Sequence, residues 1–302
     1  MSASQEIITT SQAAEILGVH ESSIKRWCAA RKLTFSKTGG GHRRISLRAL
    51  LAFAEQESIK TPLTCFQSYA ERVWCNIDHL RRKEEFEPLV HLGFEWMVEE
   101  RPSMLLHLLW LLQDLGYRST ELLDAFISPV MHRVGRAYLE SILSIGDEHR
   151  ITHSMRDVLI RHQGRTASSA HELSPDRPVA IAGCPRNQEH ELGALMARMV
   201  LEESGWQVIY LGLNVPTEEF ARQQIAHRAS LVCIALMPPV GETEALHIED
   251  LLRQMYDSNQ PYRLVFGGPL QGHPSFAPPG FPKSYFFSSL SSFKTWLEEA
   301  DG

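Results

Sequence analysis

No apolar run in this 302-residue chain is long enough to cross a membrane; stretches such as residues 104–112 fall well short of the ~20 residues a spanning helix needs. Residues 1–8 show no basic, apolar leader pattern, so a cytoplasmic location with no membrane attachment is expected. Cysteine is scarce. The five present, Cys28, Cys65, Cys75, Cys184 and Cys233, are scattered, odd in number and never spaced CxxC. That pattern argues against a disulfide framework or a cysteine-rich zinc site, and for reduced thiols. There is no internal repeat and no low-complexity tract, and hydrophobic and charged fractions of 43% and 22% argue against extensive disorder.

Positive charge is scarce overall but not evenly so. The chain carries a net charge of −6, yet residues 1–60 hold nine Lys/Arg against five Glu, an excess of four that leaves the remainder at −10. A basic head on an acidic body is expected when only the head faces phosphate. Pro62 and the polar stretch ending at Pro178 divide the chain into three candidate domains, residues 1–60, 62–165 and 178–302.

The head reads as short helices around a Gly-rich basic turn. Thr10 and Ser11 suit N-capping of a helix through Leu17, with Ala13, Ala14, Ile16 and Leu17 as its apolar face. After the turn Gly18-Val19-His20, a second helix opens at Glu21-Ser22-Ser23 and turns Ile24 and Trp27 inward. Ser22, Ser23, Lys25 and Arg26 then occupy the part of a recognition helix that meets base edges. Gly39-Gly40-Gly41 permits a tight turn whose tip, His42, Arg43 and Arg44, suits phosphate or minor-groove contact. The order AAEILGV, SSIKRW, GGGHRRI over residues 7–56 resembles the MerR-type winged helix, which implies DNA binding. A small helical protein-interaction module with a solvated basic loop is the rival.

In the middle block, residues 65–82, 86–98, 104–115, 120–140 and 143–163 carry apolar residues at helical spacing, which predicts a helical bundle. Tyr138 and the pair Glu148-His149 lie ten positions apart, about 15 Å along one helix, so they share a site only if the chain turns within residues 141–146. His149 and His153 stand at i, i+4, a spacing able to bind a metal from one helix face, although no third or fourth ligand lies nearby. His149 as a hydrogen-bonding bundle residue is the alternative.

Residues 178–300 alternate apolar strands (179–183, 208–211, 231–236, 264–266) with helices (191–204 and from 216), which predicts a doubly wound parallel sheet. Such sheets bind ligands beyond the carboxyl ends of their strands, in loops such as 185–190 and 267–270. In the first, Gln188-Glu189-His190-Glu191-Leu192-Gly193 resembles the D/E-x-H-x-x-G loop of cobalamin-binding domains, whose histidine is the lower axial ligand of cobalt. Ala235-Leu236-Met237 and Gly267-Gly268 stand where that family has Ser-x-Leu and Gly-Gly. The resemblance places His190 below the cobalt, with Gln188 beside it and Gly193, Ala235, Gly267 and Gly268 along the nucleotide tail.

Over residues 7–297 the chain resembles the CarH/LitR light-responsive repressors, in which Trp-x9-Glu-His covers the upper face of adenosylcobalamin; here the pattern is Tyr138, nine residues, Glu148-His149. The resemblance implies a winged helix, a capping helical bundle and a Rossmann-like domain. Adenosylcobalamin or another cobalamin would lie between bundle and sheet, with operator DNA as partner and a homodimer or homotetramer as the assembly. Photolysis would remove the upper ligand and let His149 reach cobalt. Three positions depart from the family: Gln188 for an acid, Ala235 for serine and Tyr138 for tryptophan. They leave open a sensor of hydroxocobalamin, of haem or a bilin, or of no ligand. An enzymatic role, as a methyltransferase or mutase fragment, would need a substrate barrel for which 302 residues leave no room.

Overall fold

In the computed structural model, residues 6–167, 177–237, 242–268 and 284–300 are described. The chain divides into two compact units, residues 1–111 and 112–302.

The first unit begins with a strand that the hydrophobic pattern does not reveal. β1 (Ile7–Thr9) pairs antiparallel with β3 (Arg43–Ser46), which also pairs with β2 (Ser36–Lys37), giving the order β1-β3-β2. Strands of three and two residues are too short to display a period of two. Thr9, one residue earlier than expected, caps α1 (Thr10–Leu17): its hydroxyl accepts from Gln12 N while the Gln12 side chain accepts from Thr9 N at 2.9 Å. α1, α2 (Glu21–Ala29) and α3 (Leu47–Gln56) bury Ala13, Ile16, Leu17, Ile24, Cys28, Leu50 and Phe53 against Ile8 and Ile45 of the sheet. The expected turn is a wing: Lys37 pairs with Arg43, and Thr38 and His42 close the five-residue tip through their backbones.

α5 (Glu87–Val98) and α6 (Pro102–Asp114) lie within one or two residues of their expected bounds, whereas α4 (Ala70–Lys83) starts five residues later than expected because Thr64–Tyr69 form a separate 3-10 helix. A stacked pair, Phe66 and Trp96 with ring centroids 6.0 Å apart, fills their interior.

In the second unit, α7 (Ser119–Leu122), a π-helical turn (Leu123–Ile127) and α8 (Ser128–Leu139) run on as one helix. Pro129 explains the wide turn: it lacks an N–H, and its ring would clash with the carbonyl four residues back in a regular α-helix. α8 ends at a left-handed Ser141, and α9 (Ile145–Ala167) starts on a capping box in which Ser144 Oγ accepts from Asp147 N and the Asp147 carboxylate accepts from Ser144 N. The turn that Tyr138 and Glu148-His149 require is therefore present.

The remaining strands, β4 (Val179–Pro185), β5 (Gln207–Val215), β6 (Leu231–Ala235), β7 (Arg263–Gly267) and β8 (Ser284–Phe287), form a parallel sheet in the order β5-β4-β6-β7-β8. Helices cover both faces, which is why β4 and β6 read as unbroken apolar runs. Ile181, Val232, Ile234, Leu264 and Phe266 pack with α11 (Thr217–His227) and α12 (Glu242–Gln254) through Phe220, Ile248 and Leu252. Cys184 and Ala235, of opposite parity in their strands, pack on Ala194 of α10 (Leu192–Glu203). α13 (Leu290–Ala300) closes that side, its first N–H groups capped by Asp124 from the π turn. The winged head, the helices and the doubly wound sheet are those the sequence predicts.

Candidate functional site

The strand order reverses between β4 and β6: from β4 the chain crosses to β5 on one side, and from β5 it returns to β6 on the other. Ligands of doubly wound sheets enter the crevice beyond the carboxyl ends of the two strands at such a switch point. Here that crevice is bordered by the loop after β4 and by Leu236-Met237 after β6.

His190 lies in that first loop, exposed, and among the described residues its ring has no hydrogen-bond partner; only its backbone carbonyl is engaged, by the Cys184 thiol at 3.5 Å. Its two expected neighbours differ in role. Gln188 is 4% exposed, and its carboxamide clamps the backbone of Met237, accepting from Met237 N at 3.0 Å and donating to Met237 O at 3.4 Å. It bridges the two loops across the crevice instead of reaching the imidazole. A carboxylate could make the first of these bonds but not the second.

Small residues define the walls. Among the described residues, a Cβ built on Gly193 would approach only Ala235 Cβ, at 4.0 Å, so the first turn of α10 packs closely on the end of β6. Gly268 has φ +150°, and a Cβ there would fall 1.8 Å from the Leu236 carbonyl oxygen, so only glycine fits. Gly267 accepts from Leu236 N through its carbonyl at 2.8 Å. The residues after Gly268, through 283, lie outside the described set.

Tyr138 stands at the end of α8, 39% exposed, beside Leu139, Ile142 and Ile145, which are also exposed. Glu148 and His149 open α9; Glu148 accepts from the Thr152 hydroxyl at 2.8 Å, and its other oxygen lies 3.6 Å from His149 Nε2. His149 and His153 are both exposed, and among the described residues no group of three or more His, Cys, Asp or Glu is arranged to hold a metal.

One cluster beside His190 carries no signal in the sequence. Glu191 accepts from Arg156 Nε of α9 at 2.8 Å and from the Tyr210 hydroxyl of β5 at 3.1 Å. Burial and the Glu191 charge together raise the Cys184 thiol to about 12 and push Tyr210 well above its usual value. The three residues are 35 and 19 positions apart, and no local spacing could have connected them.

In the head, Ser22, Lys25 and Arg26 are exposed along α2 and Ser23 is half-buried. Lys25 pairs with Glu21 at 3.1 Å, and Glu21 is held below the usual carboxylate range by the Thr10 hydroxyl and by Lys25. His42 projects from the wing tip, while the Arg43 guanidinium lies 5.5 Å over the Phe35 ring and Arg44 donates to the Arg43 carbonyl. A cleft of about 370 Å³ separates wing from helices, lined by Thr10, Ser11, Glu21, Lys25, His42 and Arg44 among others.

Comparison with known proteins agrees with this geometry. Residues 178–282 match the B12 binding domain, and residues 7–58 match a helix-turn-helix domain. The chain is 27% identical over 146 residues, 48% of its length, to the HTH-type transcriptional repressor CarA of Myxococcus xanthus. It is 28% identical over 132 residues, 44% of its length, to the repressor CarH of the same organism. The matched regions cover 46% and 41% of those two relatives, less than half of either. The monomethylamine corrinoid protein of Methanosarcina barkeri has the same fold over 68% of this chain and 95% of its own, with a TM-score of 0.52 at 14% identity. The expected likeness to the CarH-type regulators is borne out by these matches. Among the described residues no helix is long and apolar enough to cross a membrane.

Proposed function

We propose that this chain is a cobalamin-dependent transcription regulator and not an enzyme. Its winged head binds operator DNA, and its sheet domain, with α8 and α9, holds adenosylcobalamin or another cobalamin whose state sets that binding. The observation that carries this reading is His190. An exposed imidazole with no side-chain partner among the described residues stands beyond β4, beside the switch-point crevice, in a region matching the B12 binding domain and on the same chain as a winged head.

The residues present fit a corrinoid. His190 offers an uncommitted ring nitrogen, and imidazole is a suitable axial ligand. Gly193 and Ala235 keep the start of α10 and the end of β6 free of bulk where a nucleotide tail would run past them, and Gly267 and Gly268 bring the end of β7 close to Leu236. When bound, the corrinoid supplies a light-labile bond between cobalt and its upper ligand. Tyr138, Glu148 and His149 cover that face; the exposed Leu139, Ile142 and Ile145 beside them extend the apolar wall.

On the head, Arg26 and Lys25 present charge from α2, while Arg44 presents it from the wing, beside the His42 imidazole. Ser22 and Ser23 lie where base edges pass, and stacking on Phe35 fixes the Arg43 guanidinium for phosphate. A signal from the corrinoid reaches DNA only if its states differ in the assembly they favour, a homodimer or homotetramer presenting several heads. The test is selection of DNA duplexes from a random library by the full chain, in the dark with adenosylcobalamin, after illumination, and without corrinoid. Enrichment that changes with corrinoid or light supports the reading; identical enrichment in all three refutes corrinoid control.

A further inference from the structure

Glu191 fills a position that the D/E-x-H-x-x-G pattern leaves unspecified, and its cluster joins the His190 loop to α9. Arg156 follows His149 by seven residues, two turns, so the two share one face of α9 about 10 Å apart along its axis. On that face Arg156 Nε grips Glu191 Oε2 at 2.8 Å, and Glu191 is the residue next to His190. The other Glu191 oxygen takes the Tyr210 hydroxyl at 3.1 Å, so the carboxylate is fixed from both sides. Its side chain is 17% exposed. Glu191 also occupies the N-cap of α10, yet it makes no side-chain cap bond there, although a carboxylate at that position stabilises a helix. Its local use has given way to the link with α9 and β5.

We propose that Arg156 and Glu191 are a positioning pair: the ion pair sets the lie of the His190 loop and couples it to the helix that carries Glu148 and His149. This rests on the corrinoid reading of the same site. Tyr210 holds the second carboxylate oxygen, so a displacement of α9 acts on the peptide that carries the imidazole. The two faces of the corrinoid are thereby linked through protein, over one ion pair.

The test uses the full chain with Arg156→Met, Glu191→Gln, Arg156→Lys and the reversed pair Arg156→Glu/Glu191→Arg. Hydroxocobalamin titration reads the dissociation constant and the fraction of bound corrinoid with an imidazole lower ligand. Hydrogen exchange of residues 186–193 reads the loop without ligand. Each neutral variant is expected to weaken binding about fivefold, to lower the imidazole-ligated fraction, and to speed exchange of the loop about tenfold. Arg156→Lys restores part of each, and the reversed pair restores more than the sum of its single changes predicts. Unchanged spectra, affinity and exchange in the neutral variants overturn the proposal, as does a reversed pair no better than its singles. If the unaltered chain takes up no corrinoid, the functional reading fails, and the exchange rates still decide whether the pair holds the loop.

Discussion

Gly193→Ala separates stability from ligand binding more cleanly than any other change in the site. Among the described residues the added methyl meets only Ala235 Cβ, at 4.0 Å, an ordinary contact, and Gly193 is not in a left-handed conformation, so the ligand-free fold accepts it without strain. Alanine in place of glycine in the first turn of α10 is worth about 0.5 kcal/mol, less than the full interior difference because the site is at a helix end. For a unit of this size that raises the melting temperature by about 1–2 °C. The same methyl adds bulk at the start of α10, past which the nucleotide tail would run. Overfilling a packed site by one carbon costs about 1–2 kcal/mol, a five- to thirtyfold loss of cobalamin affinity. Calorimetric melting and cobalamin titration of the two proteins give both quantities. A variant that melts higher and binds as tightly as the original would show that the tail does not pass beside Gly193. A variant that melts several degrees lower would show that the local geometry is wrong.

Gly268→Ala acts in the opposite sense: a Cβ 1.8 Å from the Leu236 carbonyl, at φ +150°, forces the backbone apart and is expected to lower stability by about 2–3 kcal/mol, and an unchanged melting temperature would contradict the close approach. His162, buried in α9, is held down to about 4 by desolvation, with a smaller effect of Arg165. Its folded form resists a proton that the unfolded chain accepts near pH 6.5, so stability is full above that pH and falls toward pH 4. Between pH 7.5 and pH 5, urea unfolding should show about 2 kcal/mol more loss in the original chain than in His162→Leu; parallel losses would refute the assignment. Arg26→Ala should weaken binding to any duplex and reduce the slope of log affinity against log salt by about one, and an unaltered slope would remove Arg26 from the phosphate contacts.

Much of this architecture is legible in the sequence because its elements are long. The helices from α4 to α9 declare themselves by apolar spacing, and β4, β6 and β7 by short apolar runs bounded by glycine and proline. β1 and β2 are too short to show a period, and their existence depends on pairing with β3, which for β1 is a contact between residues more than thirty apart. The start of α9 was readable in principle, since Ser144 and Asp147 stand at capping-box spacing. At the site, His190 and the small residues are visible as a local motif. The role of Gln188 is not: its partner, Met237, lies 49 residues away, and only the fold reveals that the amide bridges two loops. The Arg156–Glu191–Tyr210 cluster is hidden for the same reason.

If His190 is the lower ligand of a bound corrinoid, its removal alters both cobalt retention and the spectrum of the bound group. The full chain and its His190→Ala variant are incubated with adenosylcobalamin in the dark, freed of excess, and examined for cobalt content and absorption spectrum. The account requires about one cobalt per chain with an imidazole-ligated spectrum in the original, and reduced cobalt or a spectrum lacking that ligand in the variant. Equal cobalt with identical spectra, or no cobalt in either protein, would contradict it.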